Sequence, residues 1–300
     1  MRFVEVGGAR LSVIGLGTWQ FGSVEWGYGK GYAGGEAAAI VHRALDLGVN
    51  VIDTAEIYGQ GRSEKIVGEA IRGRRDEVFL ATKLFPLGLP FQVGARARAS
   101  ARRLGVDRID LYQLHWPSPA FPVRYTMPRL RRLIEAGLVA HIGVSNFSAG
   151  AWQGAERAAG MPVLSNQVQF SLLHRSPEVE MVGWAQRQGR VVIAYSPLGQ
   201  GLLSGRYQDA VPGNFRRFRS DFRAAARARV APLIAALKEI GDHHGATPAQ
   251  VALAWLIGKP NVIAIPGASS VRQLEENAAA GDLLLSQEES QRLGNLVPLG

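Results

Sequence analysis

The sequence has no cysteine among its 300 residues. This absence excludes disulfide frameworks, thiolate nucleophiles, iron–sulfur clusters and zinc sites built on thiolates. Long hydrophobic runs are also missing, since near-continuous apolar stretches such as residues 251–257 fall far short of the roughly 20 residues that a membrane-spanning helix needs. The first residues lack the apolar core of a secretory signal. We therefore expect a cytoplasmic protein that does not bind membranes.

Lysine is scarce, because only five of the 34 basic residues are lysine and the rest are arginine. The net charge of +9 suits nucleic acid, a membrane surface or a small anionic ligand. No helix-turn-helix, zinc-finger or RNP pattern supports nucleic acid binding, and the adjacent His243 and His244 do not form a metal-site spacing. The arginine-rich residues 206–229 are either a solvated charged face or an arm that closes on a phosphate-bearing ligand.

Short β-branched runs alternate with amphipathic stretches along the whole chain. With 47% hydrophobic residues and no composition shift or linker, the chain predicts one domain over residues 1–300. Eight βα units fit an α/β fold of the (β/α)8 TIM-barrel type better than an open sheet. The eight predicted strands are residues 12–16, 49–53, 78–82, 110–114, 141–145, 164–167, 191–195 and 262–265.

Several helix ends are readable from the sequence. Gly48 and Gly105 are expected to stop helices over residues 35–47 and 93–104, and Ser63 is expected to cap a helix over residues 63–71. Capping boxes begin at Thr247 and Ser286.

Two segments are additions to a minimal barrel. Residues 2–6 and 10–13 flank two glycines and predict an N-terminal β-hairpin that plugs one end of the barrel. Residues 199–229, after the seventh strand, are too long for an ordinary βα loop and predict a lid.

Polar side chains close most of the predicted strands, and chemistry in such barrels sits at the carboxyl ends of the strands. Asp53, Tyr58, Lys83 and His115 would meet at this mouth. Asp53 would keep Lys83 charged, and the ammonium would lower the pKa of Tyr58 from about 10, which makes the phenol a proton donor near neutral pH. Taken singly, Lys83 also fits a surface lysine or a Schiff-base aldolase, and His115 fits a core histidine.

The motifs resemble those of aldo-keto reductases over residues 1–296. Residues 53–59 read Asp-Thr-Ala-x-x-Tyr-Gly and are followed by Ser63, Glu64 and Gly68, and residues 111–117 read Leu-Tyr-Gln-Leu-His-Trp-Pro. Further matches in family order are residues 143–147, Gln167, residues 195–198 and residues 265–268 with Glu276 and Asn277. The pattern of residues at three positions is similar to that of the bacterial branch of the family related to potassium-channel β-subunits. These residues are Gly267, Ala268 and Gln273.

The resemblance implies NADPH-dependent reduction of aldehydes and ketones without a metal. Tyr58 would be the general acid, Lys83 and Asp53 would tune it, and His115 would orient the carbonyl. It also implies the cofactor contacts Thr18, Trp19, Asp53, Ser145, Asn146, Gln167, Tyr195, Ser196, Pro197, Leu198, Gly199, Gln200, Gly201, Arg206, Ile265, Gly267, Ser269, Gln273, Glu276 and Asn277. Because the usual lysine and arginine for a 2′-phosphate are replaced, NADH stays open beside the expected NADPH.

Aromatic residues beyond the strand ends predict a pocket for an apolar or aromatic carbonyl substrate, and ordinary core packing is the other interpretation of them. They are Trp19, Phe21, Trp26, Phe85, Trp116 and Phe147. Residues 29–34 match G-x-G-x-x-G, but no strand directly precedes them, so we interpret them as a substrate loop. A nucleotide-sensing regulatory subunit with little turnover is the alternative function, and any protein partner is unknown.

Overall fold

A β-hairpin opens the computed structural model, which describes residues 1–22, 34–87, 90–207 and 222–297. Strands β1 (Phe3–Val6) and β2 (Ala9–Ser12) pair antiparallel, with Val6 opposite Ala9. Gly7 and Gly8 make the turn at φ of 56° and 78°, a conformation that glycine adopts without steric cost. The predicted N-terminal hairpin is therefore present.

Eight parallel strands follow one another around the sheet, each beside its neighbours in sequence. Parallel bridges from Ile14 to Ala264 and from Gly17 to Gly267 connect the first strand of this sheet to the last. The predicted TIM barrel is confirmed. The strands are β3 (Leu16–Gly17), β4 (Val51–Asp53), β5 (Phe79–Leu84), β6 (Ile109–Leu114), β7 (Val139–Ser145), β8 (Ser165–Gln169), β9 (Val191–Tyr195) and β10 (Val262–Ala264).

Helices surround the sheet, and their ends largely follow the sequence signals. Gly105 ends α3 at φ of 66°, and both predicted capping boxes are present, at Thr247 and Ser286. The helices are α1 (Gly34–Asp46), α2 (Arg62–Ala70), α3 (Val93–Leu104), α4 (Val123–Glu135), α5 (Ala149–Ala159), α6 (Gly183–Arg187), α7 (Ala224–His244), α8 (Pro248–Ile257), α9 (Val271–Ala279) and α10 (Gln287–Asn295). Short 3₁₀ helices cover Tyr58–Gly61, Arg75–Glu77, Pro90–Gln92 and Gly199–Ser204, and a π-helix covers Glu178–Val182.

The predicted cap at Ser63 is wrong. Helix α2 begins one residue earlier, with Gly61 as its N-cap residue. The Ser63 hydroxyl is buried and donates to the carbonyl of Thr18 at 2.9 Å. Thr54 Oγ1 lies 2.9 Å from the Ser63 hydroxyl oxygen. A tertiary contact therefore uses the side chain that the local pattern assigned to the helix end.

The predicted lid is described only in part. Its first residues form the 3₁₀ helix Gly199–Ser204, and its last residues, 224–229, belong to α7 rather than to a loop. This part of the expectation is wrong because the helix extends toward the N-terminus beyond its buried residues, the first of which is Leu233. Residues 208–221 lie outside the described residues, as do Trp26 and residues 29–33.

Two apolar layers divide the barrel. The larger layer lies between the strands and the surrounding helices. The smaller fills the inside of the barrel and includes Val6, Ala9 and Leu11 of the hairpin together with Val51 and Phe79 at the starts of their strands. The hairpin thus closes the N-terminal end of the barrel, which leaves the opposite end open. None of the helices in the described residues is long and apolar enough to cross a membrane.

Gly68, a glycine of the sequence motif, is required by the packing of α2 against α3. A Cβ at this position would lie 2.4 Å from the carbonyl oxygen of Leu104 at the end of α3, so only glycine allows α2 to approach α3 this closely. Gly154 in α5 is the matched contrast, because the nearest atom to its Cβ would be Arg157 Nη2 at 3.7 Å.

We expect Gly68→Ala to lower the free energy of unfolding by about 1–3 kcal/mol, because the added methyl forces the two helices apart. Gly154→Ala should raise it by about 0.5–1 kcal/mol, because alanine loses less backbone entropy in a helix. Urea denaturation of both variants measures the difference. Equal stability of the two variants would contradict this account of the motif glycine.

Candidate active site

A buried lysine is the centre of the open end of the barrel. The Lys83 side chain lies on β5 and is fully buried. Its ammonium donates to Asp53 Oδ2 at 2.5 Å, to the carbonyl of Thr54 at 2.8 Å and to the Tyr58 hydroxyl at 3.3 Å. All three of its protons therefore have an acceptor, and the expected carboxylate, ammonium and phenol form one connected chain.

The pKa values of this chain differ in part from the sequence expectation. Burial lowers the pKa of Lys83, but Asp53 and Tyr58 together outweigh burial and raise it above its usual value. Burial raises the pKa of Tyr58, Lys83 opposes this effect, and Asp53 adds to it. The expected net lowering for Tyr58 is wrong, because desolvation of the phenolate exceeds the attraction of the ammonium. Both groups are therefore protonated at neutral pH.

His115 lies beside the phenol and is neutral. Burial, followed by the charge of Lys83, lowers the pKa of His115 to about 3. Its ring meets the rings of Tyr58 and Phe85 edge-on, each at 5.9 Å between centroids, and stacks on Trp116 at 6.1 Å. Its Nδ1 atom is buried without a hydrogen-bond partner among the described residues. A neutral imidazole in this place can donate one hydrogen bond to a ligand through Nε2.

Amide side chains from the next strands connect to this chain. Gln167 at β8 donates through Nε2 to Asp53 Oδ1 at 2.8 Å, so both oxygens of that carboxylate are occupied. The Tyr195 hydroxyl donates to Asn146 Oδ1 at 2.8 Å, and Asn146 Nδ2 donates to the carbonyl of His115 at 3.1 Å. Ser145 Oγ donates to the carbonyl of Gln167 at 2.8 Å. Four polar residues that the sequence assigned to a cofactor thus lie next to the four assigned to catalysis.

A cleft of about 800 Å³ extends from Tyr58 and His115 across the mouth of the barrel. Its far end lies at the start of α9, where Ser270 accepts from the amide of Gln273 and Gln273 Oε1 accepts from the amide of Ser269. Arg206 meets Glu276 there at 3.4 Å. The expected site residues that line the cleft are Thr18, Trp19, Asp53, Tyr58, Phe85, His115, Trp116, Ser145, Asn146, Gln167, Tyr195, Ser196, Pro197, Leu198, Gln200, Gly201, Arg206, Ile265, Gly267, Ser269, Gln273, Glu276 and Asn277.

Four expected residues do not line this cleft. Lys83 is fully buried, with its ammonium 3.3 Å from the Tyr58 hydroxyl, and a Cβ added at Gly199 would lie 2.9 Å from Leu173 Cδ1. Phe21 and Phe147 belong to the hydrophobic core, with 0% and 3% of their surfaces exposed. The expected pocket role of these two phenylalanines is wrong, because a position just after a strand does not decide whether a ring turns into the core.

The cleft also has lining residues that were not among the expected site residues. Ile57 and Gly59 flank Tyr58, and Gln20 directly follows Trp19, so neighbourhood in the chain was the available signal for them. Ala249 comes from the start of α8 and no pattern predicts it. The full set is Gly17, Gln20, Ile57, Gly59, Gln169, Ser204, Tyr207, Ala249 and Pro266. No group of three or more histidine, aspartate or glutamate side chains within the described ranges could hold a metal ion.

Comparisons with known proteins agree with this geometry. An uncharacterized oxidoreductase of Mycobacterium tuberculosis is 51% identical over 296 residues, covering 98% of this chain and 92% of that protein. The methylglyoxal reductase YeaE of Escherichia coli is 34% identical over 97% of this chain and 93% of its own length. A crystal structure of an aldo-keto reductase from Klebsiella pneumoniae in complex with NADPH is 34% identical, with a TM-score of 0.79 over 99% of this chain and 95% of that one.

The sequence profile described as the Aldo/keto reductase family matches residues 13–297, which is nearly the whole chain. The match spans the barrel strands and every residue of the cleft. The chain therefore belongs to the aldo/keto reductase family.

Proposed function

We propose that this protein reduces aldehydes or ketones to alcohols with NADPH and that Tyr58 donates the proton. The observation that carries the proposal is the connected chain from Asp53 through Lys83 to the Tyr58 hydroxyl, which ends beside a neutral His115 at one end of the cleft. A protonated phenol next to a neutral imidazole suits a carbonyl oxygen that becomes an alkoxide. The family and its NADPH-bound structural neighbour support this reaction class.

The residues of the cleft fit a nicotinamide nucleotide. The cleft volume of about 800 Å³ lies within the roughly 300–1,000 Å³ typical of ligand pockets. Ser145, Asn146 and Gln167 offer amide and hydroxyl groups for the nicotinamide end, beside the Tyr195 ring. Residues 196–201 and Arg206 would hold the phosphates, and Ser269, Gln273, Glu276 and Asn277 would hold the adenosine end.

Charge at the far end of the cleft favours NADPH over NADH. Helix α9 begins there, and helix N-termini attract phosphate. Arg206 lines the cleft, and the exposed Arg272 lies in the first turn of α9. These groups would replace the lysine and arginine that other family members use for the 2′-phosphate.

NADPH, when bound, supplies a hydride to the carbonyl carbon. Tyr58 would give its proton to the carbonyl oxygen, and the Lys83 ammonium at 3.3 Å would stabilise the phenolate that remains. Asp53 keeps Lys83 charged, because a buried ammonium without a carboxylate partner loses its proton readily. His115 would donate to the same carbonyl oxygen and orient the substrate.

The Schiff-base alternative is disfavoured by the contacts of Lys83. A Schiff base requires a neutral amine with a free lone pair. The Lys83 ammonium donates three hydrogen bonds, and its pKa is raised rather than lowered. The regulatory-subunit alternative predicts the same contacts, so only turnover separates it from a reductase.

The first test is turnover with NADPH, or separately NADH, and 4-nitrobenzaldehyde, followed by the loss of reduced-nicotinamide absorbance. We expect faster turnover with NADPH and a loss of about 10²-fold or more in Tyr58→Phe, which is the range that a general acid contributes. Tyr112→Phe is the matched control, since this buried phenol on β6 has no hydrogen-bond partner among the described residues. Its activity should equal that of the wild type.

Full activity in Tyr58→Phe would contradict the role of Tyr58 as proton donor. Fluorescence titration with NADPH separates the other outcomes. Tight NADPH binding without turnover of any carbonyl would favour a nucleotide-sensing subunit, and no binding would contradict the proposed function.

The pH dependence of reduction provides a second test. We expect kcat/KM to be level between about pH 6 and pH 9, because His115 with its pKa of about 3 stays neutral and Tyr58, with a pKa raised above its usual 10, stays protonated. The rate should fall only at higher pH, where Tyr58 loses its proton. Steady-state kinetics across this range measures the profile. A limb near pH 6.5 that disappears in His115→Asn would show instead that His115 titrates.

A further inference from the structure

Glu56 connects the loop of the proton donor to the neighbouring wall of the cleft. It lies two residues before Tyr58, and its side chain is 12% exposed. Glu56 Oε1 accepts from the backbone amide of Phe85 at 2.6 Å and from Arg96 Nη2, and Oε2 accepts from Arg96 Nε at 3.2 Å. Arg96 Nη1 donates to the carbonyl of Leu87. One ion pair thus holds backbone groups at both ends of residues 85–87.

Phe85 is the residue of this loop that lines the cleft. Its ring meets the imidazole of His115 edge-on at 5.9 Å and 90°. The amide of Leu87 donates to the carbonyl of Phe85 at 2.8 Å, so the segment forms a tight turn. Glu56 and Arg96 contact backbone groups of this turn, so they hold the backbone from which the Phe85 ring extends to His115.

An ordinary exposed ion pair would do little to hold the loop of residues 85–87, because water screens the attraction between its charges. This pair is different in two respects. It is largely buried, and it is bidentate, so the guanidinium and the carboxylate fix each other's orientation. Removal of the carboxylate would leave the amide of Phe85 without its acceptor and would leave Arg96 with only the carbonyl of Leu87 among the described residues.

We propose that Glu56 and Arg96 are a positioning pair that holds Phe85 in place as a specificity wall for bulky aromatic carbonyls. The proposal rests on the reductase function proposed above. A large aromatic substrate gains more apolar contact with the Phe85 ring than does a small aldehyde held at Tyr58 and His115. Glu56 acts through Phe85 and does not touch the reacting atoms.

A second pair in this chain provides a matched control. Glu156 on α5 accepts from the amide of Val163 at 3.0 Å and from Arg190 Nε at 2.6 Å, and Arg190 donates to the carbonyl of Gln188 at 2.5 Å. The exposed fractions of its side chains, 18% and 15%, are similar to those of the first pair. Val163 and Arg190 precede β8 and β9, so this pair lies at the end of the barrel opposite the cleft.

The experiment compares Glu56→Ala, Glu56→Gln and Glu156→Ala with 4-nitrobenzaldehyde and with propanal, under saturating NADPH. In Glu56→Ala, the ratio of the two kcat/KM values should fall about 10-fold, mainly through a higher KM for the aromatic substrate. Glu56→Gln retains an acceptor for the amide of Phe85 and should recover part of this ratio. Glu156→Ala should keep the wild-type ratio, and all three should bind NADPH with the wild-type Kd.

Hydrogen exchange gives a readout that does not depend on turnover. The amide of Phe85 should exchange at least about 10-fold faster in Glu56→Ala than in the wild type, because it loses its acceptor. In Glu156→Ala, exchange should accelerate at Val163 and not at Phe85. If Glu56→Ala does not fold, Glu56→Gln keeps the test through a smaller change in the same direction.

A wild-type substrate ratio and wild-type exchange at Phe85 in Glu56→Ala would overturn the proposal, as would an equal change of the ratio in Glu156→Ala. Absence of turnover in the wild-type protein would instead contradict the reductase function. Hydrogen exchange at Phe85 would then still decide whether Glu56 holds the loop, and unchanged exchange would overturn that part as well.

Discussion

The ion pair of Lys83 and Asp53 is the interaction on which the site depends. Moving an ammonium and a carboxylate out of water costs several kcal/mol for each ion, and their attraction offsets this only when the remaining donors and acceptors are also satisfied. Lys83 meets the condition with Thr54 and Tyr58, and Asp53 meets it with Gln167. The pair therefore requires polar partners from several strand ends, and these partners are also the groups that can hold a ligand.

This requirement explains why the barrel has two different halves. At the N-terminal end, apolar side chains such as Leu11 and Val51 fill the interior, and the hairpin covers them. At the other end, strands of the same sheet present Asp53, Lys83 and Gln167 to the interior. A charged pair surrounded by apolar side chains would lack partners, whereas a polar layer at an open mouth can exchange its internal hydrogen bonds for bonds to a ligand.

Much of this arrangement was predictable because strand periodicity and polar strand ends are local signals. Seven of the eight strands were predicted to within two residues at each end, whereas the first prediction, residues 12–16, shares only Leu16 with the barrel strand β3. Asp53, Tyr58, Lys83 and His115 do meet at one mouth. The errors arise where a contact with a residue distant in sequence replaces the local interaction that the pattern predicted. The Ser63 hydroxyl bonds to Thr18 instead of capping its helix, and Phe21 turns into the core.

The net direction of the Tyr58 pKa and the role of Glu56 share one reason for being missed. The sequence shows which charges are near one another in the chain, but burial and partners forty residues away decide what those charges do. The charge of Lys83 was expected to lower the pKa of Tyr58, but desolvation of the phenolate raises that pKa by more than Lys83 lowers it. Glu56 stands inside a recognised motif, yet the role proposed for it depends on Arg96, which lies on α3 and has no motif of its own.

Backbone strain shows that the cleft was shaped at some cost in stability. Among the described residues, five that are not glycine have positive φ, and Asn146, Ser196 and Gln200 of these line the cleft. Such a conformation costs on the order of 1 kcal/mol for each residue and is kept where the surroundings enforce it. Glycine would relieve the strain at Asn146 but would remove the amide that joins Tyr195 to the backbone of His115. The fold therefore retains a strained asparagine because its side chain connects the expected nicotinamide end of the cleft to the backbone of His115, the residue beside Tyr58.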